Sequence, residues 1–120
     1  MFIPDSLYIW QTANSSSPQP ILLINRSAYQ CEGSPSDPPI IFRLPIATLK
    51  GFNCKIIGWN RQFRIIQNAN QFCYQGNSKS TVGATGKVES TNPYDILQLQ
   101  CMIANTVFCV HDTNGNINFT

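Results

Sequence analysis

A chain of 120 residues is long enough for one domain with a modest core and too short for two. Hydrophobic residues make up 42% of it and charged residues only 12%, about half the usual charged share. Asn, Gln, Ser and Thr carry the surface instead, a composition closer to an extracellular, viral or fibrous protein than to a metabolic enzyme. The net charge of +2 is scattered. Its tightest grouping, Lys55, Arg61 and Arg64, is too thin for a nucleic-acid footprint even with Trp59 between its members, so no nucleic-acid partner is expected.

The opening "MFIPDSLYIW" has no basic segment and no long apolar core, so a signal peptide is not expected. No run approaches the ~18 apolar residues of a membrane span, so membrane insertion is not expected either. Residues 1–20 are assigned to an N-terminal arm or linker, and 21–120 to one β-sandwich-like domain. Turn formers then punctuate the chain: "NSSSPQP" (14–20), "EGSPSDPP" (32–39), "GNSKSTVGATGK" (76–87), "STNP" (90–93) and "DTNGN" (112–116). Between them lie short β-branched and aromatic runs at 21–25, 40–44, 52–59, 63–68, 71–75, 95–104 and 107–112. This spacing predicts an all-β fold, a compact antiparallel sandwich, jelly-roll-like or barrel-like module. Proline excludes long helices across 18–45, and "IATLKGF" is expected to be a loop.

Period-two alternation assigns faces. In 95–103, Leu97, Leu99, Cys101 and Ile103 share one side, and Gln98, Gln100 and Met102 the other. A two-residue turn at Asn105-Thr106 would pair Ile103 with Phe108, Cys101 with Val110 and Met102 with Cys109. "IIGWNRQFRIIQN" predicts a second hairpin, with Ile65 and Gln67 on one face and Arg64, Ile66 and Asn68 on the other. A third turn at "NAN" would return the chain along "QFCYQ". Asn68 and Asn70 suit that turn, because Asn tolerates left-handed backbone angles.

Catalytic signals are weak. Five cysteines (31, 54, 73, 101 and 109) with no CxxC-like pair, and His111 as the sole histidine, predict no metal site. Four of the five lie in apolar runs, where a free thiol behaves as a small hydrophobe. A Cys109–His111 nucleophile–base pair is conceivable, but an exposed strand-end histidine is the simpler reading. The carboxylates form no spaced acid–base pair, and "GATGK" lacks phosphate-loop spacing. No cofactor and no catalytic residue is expected. Aromatics beside amides and hydroxyls suit sugar binding by stacking and hydrogen bonding, which nominates Trp59, Tyr74, Trp10 and Tyr94 as ligand contacts.

The segments Phe63-Arg64-Ile65-Ile66-Gln67-Asn68-Ala69-Asn70-Gln71, Gly76 to Gly86, Ser90-Thr91-Asn92-Pro93-Tyr94-Asp95, Ala104-Asn105-Thr106-Val107-Phe108 and Asn114-Gly115-Asn116 come in a telling order. Together they resemble the C-terminal β-module of bacteriophage tail-fibre and tail-spike-like proteins and of related collagen-like fibre proteins. The likeness spans about 21–119. It departs from the family pattern at Cys73 and Cys109, where aliphatic or aromatic residues are expected. The resemblance implies a homotrimer at a fibre end, which identical neutral amides can knit together, since each donates to and accepts from its own copy. Gln67, Asn68, Gln71 and Met102 are therefore candidates for an oligomer interface or a turn network. The function so implied is host attachment through a surface glycan or protein, at a virion or fibre tip assembled in host cytoplasm. The alternatives are a purely structural trimerisation head and a bacterial secreted or surface carbohydrate-binding protein.

Overall fold

The structure, a computed structural model, describes residues 7–120. Its strands, in chain order, are β1 (Ile9–Ala13), β2 (Ile21–Leu22), β3 (Ser27–Glu32), β4 (Ile40–Arg43), β5 (Asn53–Trp59), β6 (Phe63–Ile66), β7 (Phe72–Gln75), β8 (Ser78–Lys79), β9 (Lys87–Ser90), β10 (Ile96–Ile103), β11 (Val107–Asn114) and β12 (Ile117–Phe119). The fold is all-β, with no α-helix among the described residues, and 45–51 is a loop. Each of the seven expected runs contains a strand. A seven-stranded sheet is ordered β1-β3-β5-β10-β11-β7-β8 and a five-stranded sheet β12-β9-β6-β4-β2.

Both sheets are mixed, which corrects the antiparallel expectation. Strands β1, β3 and β5 run parallel, as do β2, β4 and β6, and β7 is parallel to β11. The cause lies in the connections. From β1 to β7 each successive strand belongs to the other sheet, so the Pro- and Gly-rich loops cross between sheets instead of closing hairpins. A chain that crosses and returns lays down same-direction neighbours, because two-residue hairpins can join only antiparallel strands. The predicted hairpins at 52–68 and 63–75 are thereby replaced by crossings. Residues 9–13, grouped from sequence with an arm, form edge strand β1 in register from Ile9↔Ser27 to Ala13↔Cys31.

Inward faces of both sheets contribute to one core, which includes Tyr29, Phe42, Ile56, Phe63, Ile65, Leu97, Leu99 and Phe108. Each fully buried large apolar side chain is worth about 1.5–3 kcal/mol. Tyr29 of β3 and Phe42 of β4 meet edge to face across the sheets, with ring centroids 5.0 Å apart. The alternation in β10 holds for Leu97, Leu99 and Cys101, and Phe108 and Val110 are buried as expected.

The pairing register differs from the prediction. Leu99 faces Val110, Gln100 faces Cys109 and Cys101 faces Phe108, and an irregularity between Cys101 and Ile103 sets Met102 outside the ladder. The turn is longer than two residues. Asn105 takes a left-handed conformation (φ 68°), Thr106 N–H donates to the Ile103 carbonyl at 3.1 Å, and Ile103 is turned out to solvent. Thr48 secures this turn: its N–H donates to Asn105 Oδ1 (2.7 Å), and its hydroxyl accepts from Asn105 N–H (3.1 Å).

Candidate functional site

Gly58, one residue before the end of β5, lets the backbone of 93–95 approach closely. Its N–H donates to the Asp95 carbonyl at 2.7 Å, and a Cβ there would lie 2.6 Å from the Pro93 carbonyl oxygen. The Asp95 carboxylate is buried and accepts from Thr91 N–H (2.8 Å), Asn92 N–H (2.9 Å) and Asn116 N–H (3.3 Å). Arg61 fixes the other side. It is buried, donates to the Pro38 carbonyl (2.9 Å) and Ser15 Oγ (2.7 Å), and lies 3.6 Å from Asp37 Oδ2. Asn60, left-handed at φ 65°, donates its amide to the Gly33 carbonyl at 3.0 Å.

These constraints bring Trp59 and Tyr94 together edge to face, with centroids 6.0 Å apart and planes at 87°. Both stay open to solvent, at 58% and 56% exposure, and the Tyr94 hydroxyl donates to Asn60 Oδ1 at 3.2 Å. Glu32 is the register neighbour of Trp59, and Gln30 Nε2 donates to Glu32 Oε2 at 3.2 Å. An exposed aromatic pair rimmed by an amide and a carboxylate can stack on an apolar ring face and hydrogen-bond its hydroxyls.

The other two nominated aromatics lie apart. Trp10 is exposed on β1, at the sheet edge. Tyr74 lies on β7, with β10 and β11 between it and β5. Cys109 is its register partner on β11, and the nearby thiol is the main influence that raises the Tyr74 pKa.

The amides serve local structure. Gln67 is buried, and its Nε2 lies 2.9 Å from each of three carbonyls, those of Gln71, Thr81 and Gly83, while its Oε1 accepts from Ser80 Oγ. Gln71 is also buried. It accepts from Asn68 N–H (2.8 Å) and donates to the Pro45 (2.7 Å) and Asn105 (3.0 Å) carbonyls. Asn68 donates to the Leu44 carbonyl (2.7 Å) and accepts from Arg43 (3.1 Å). Within the chain these three residues form a network that ties four loops together. Met102 lies apart from it, partly exposed beside the β10 irregularity. Ser80, Arg61 and Asp95 escape a reading of the sequence, because single polar residues in loops give no periodic signal.

All five cysteines are free, and only Cys109 is less than fully buried. Burial pushes the Cys31 and Cys73 thiols up to about 12 and raises Cys54 as well. Burial also lowers His111, which lies two residues along β11 from Cys109. Among the described residues no group of three or more His, Cys, Asp or Glu is placed to hold a metal ion, and no helix is long and apolar enough to cross a membrane.

A concavity of about 520 Å³ lies elsewhere, between Leu23, Ile24, Pro45, Leu49 and Phe52. Its Asn25 amide oxygen already accepts from Asn53 N–H at 2.9 Å. Its one aromatic lining residue, Phe52, is buried, and the exposed Trp59–Tyr94 pair is the better candidate for stacking on a ligand. No protein-family model matches the sequence, and no curated protein matches it.

Proposed function

We propose that this chain is a non-enzymatic attachment module at the end of a virus or phage-like fibre, acting as a homotrimer that binds a surface glycan. The observation that carries the reading is the Trp59–Tyr94 pair, two large aromatic rings set edge to face yet left more than half exposed beside the Asn60 amide. Ordering such rings before the ligand arrives lowers the entropic cost of binding. Three copies on one fibre raise avidity for a multivalent surface without any new contact. Five free thiols accord with assembly in a reducing host cytoplasm. The resemblance of about 21–119 to fibre-end modules supports the same setting.

A second reading, a trimerisation head that binds nothing, draws on a different observation. Ile24, Ile46, Leu49 and Ile103 are exposed near the 45–51 loop, with Leu49 at 81%, an apolar end suited to contact between copies. Screening the protein on a glycan array, beside Trp59→Ala and Tyr94→Ala, separates the two. The attachment reading expects defined glycan hits that weaken by about tenfold or more in either variant, with melting temperatures unchanged. Binding that survives both substitutions, or no hit at all, sinks it.

A further inference from the structure

A second exposed indole, Trp10, lies on the same outer face as the platform. In β1 the buried Ala13 points to the core beside Cys31 of β3, so alternation sends Trp10 and Thr12 outward. In β5 the buried Cys54 and Ile56 point in, and Lys55, Ile57 and Trp59 point out. Register links the two ends: Trp10 aligns with Ala28, and Ala28 with Lys55, four residues before Trp59 on the same strand. Two strand spacings of ~4.8 Å and four residue rises of ~3.3 Å separate the indole-bearing Cα atoms by roughly 16 Å. One pyranose ring cannot span that distance; several linked in line can.

Between the ends runs a row of modest side chains, Thr12, Gln30 and Ile57, aligned across β1, β3 and β5. Among the described residues that row itself carries no large ring, and Thr12 and Gln30 supply hydroxyl and amide groups. Lys55 and Glu32, the charged residues along this path, have opposite signs and favour no anionic ligand.

We infer that this face binds a linear, neutral, β-1,4-linked glycan laid diagonally from Trp10 to the Trp59–Tyr94 pair. Sugars so linked, with their substituents equatorial, form flat ribbons whose apolar ring faces stack on indoles while their edges meet polar side chains. The inference rests on the reading of Trp59 and Tyr94 as a saccharide platform and adds the shape and length of the ligand.

The test is titration of the 120-residue protein with cello- and chito-oligosaccharides from monosaccharide to hexasaccharide, by calorimetry. An array of α-linked and branched glycans is run in parallel. Affinity should rise by about tenfold or more from disaccharide to hexasaccharide. Trp10→Ala should abolish that gain, Trp10→Tyr should restore most of it, and Trp59→Ala should weaken every oligomer. An affinity independent of length, or a length dependence that Trp10→Ala leaves intact, overturns the inference. Binding confined to α-linked or branched glycans and lost in Trp59→Ala overturns the linear ligand and leaves the platform standing. No binding on either panel overturns both.

Discussion

Gln67 shows at the scale of one residue how a neutral amide can hold a β-protein together. It meets three carbonyls and one hydroxyl from a buried position, a task no charged side chain could do without a heavier desolvation cost. Gln67→Met keeps the length of the side chain and leaves those groups without their partner. It is expected to cost about 2–4 kcal/mol, because each buried group left unsatisfied costs about 1–3 kcal/mol. Urea unfolding measures the difference, and a loss below about 0.5 kcal/mol would contradict the assigned role. The sequence signals these amides by their density, but not their partners. Gln71, Thr81 and Gly83 come together only once the fold is closed.

The cysteines give a second expectation at this scale. Thiolate is the reactive form, and burial suppresses it at Cys31, Cys54 and Cys73. Cys101 is fully buried, beside Thr48 Oγ1 at 3.2 Å. Iodoacetamide should therefore alkylate Cys109 alone in the native protein at pH 8, and all five thiols in denaturant, as read by peptide mass mapping. Native labelling of Cys54 at a rate comparable to Cys109 would show the core to be more open than described.

At the scale of elements, the runs in 40–44, 52–59, 63–68, 95–104 and 107–112 announce strands because β-branched and aromatic residues alternate there. Strand β3 is nearly silent in the sequence: Ser27, Ala28 and Cys31 are small, and both of its faces carry buried residues, which erases the alternation. Pairing partners are less legible still. A Pro- or Gly-rich loop marks where a chain turns, but not whether it returns within one sheet or crosses to another. Trp59 and Tyr94 could be nominated one by one, yet their meeting depends on Gly58, whose lack of a side chain admits the 93–95 backbone.

Gly58→Ala tests that dependence. Its Cβ would lie 2.6 Å from the Pro93 carbonyl and 3.1 Å from that of Asp95, both backbone atoms that must move. A stability loss of about 1–3 kcal/mol is expected, along with a shift in Trp59 fluorescence as Tyr94 is displaced. A variant with unchanged stability and emission would show that the close approach does not position the pair.

At the scale of the whole molecule, the two mixed sheets place different surfaces at different sites. The outer face of the larger sheet carries the aromatic platform, and the region around the 45–51 loop carries exposed Ile46, Leu49 and Ile103. That division suits a fibre head, which must contact its own copies with one surface and a host with another. The most direct test of this division is the solution mass, by light scattering during gel filtration across micromolar concentrations, for the wild-type protein and for Leu49→Glu. The proposed fibre module predicts a species of three chains, which Leu49→Glu converts to a folded monomer by placing like charges at the contact. A wild-type monomer at every concentration would contradict the trimer, and any attachment by this chain would then rest on a single Trp59–Tyr94 site.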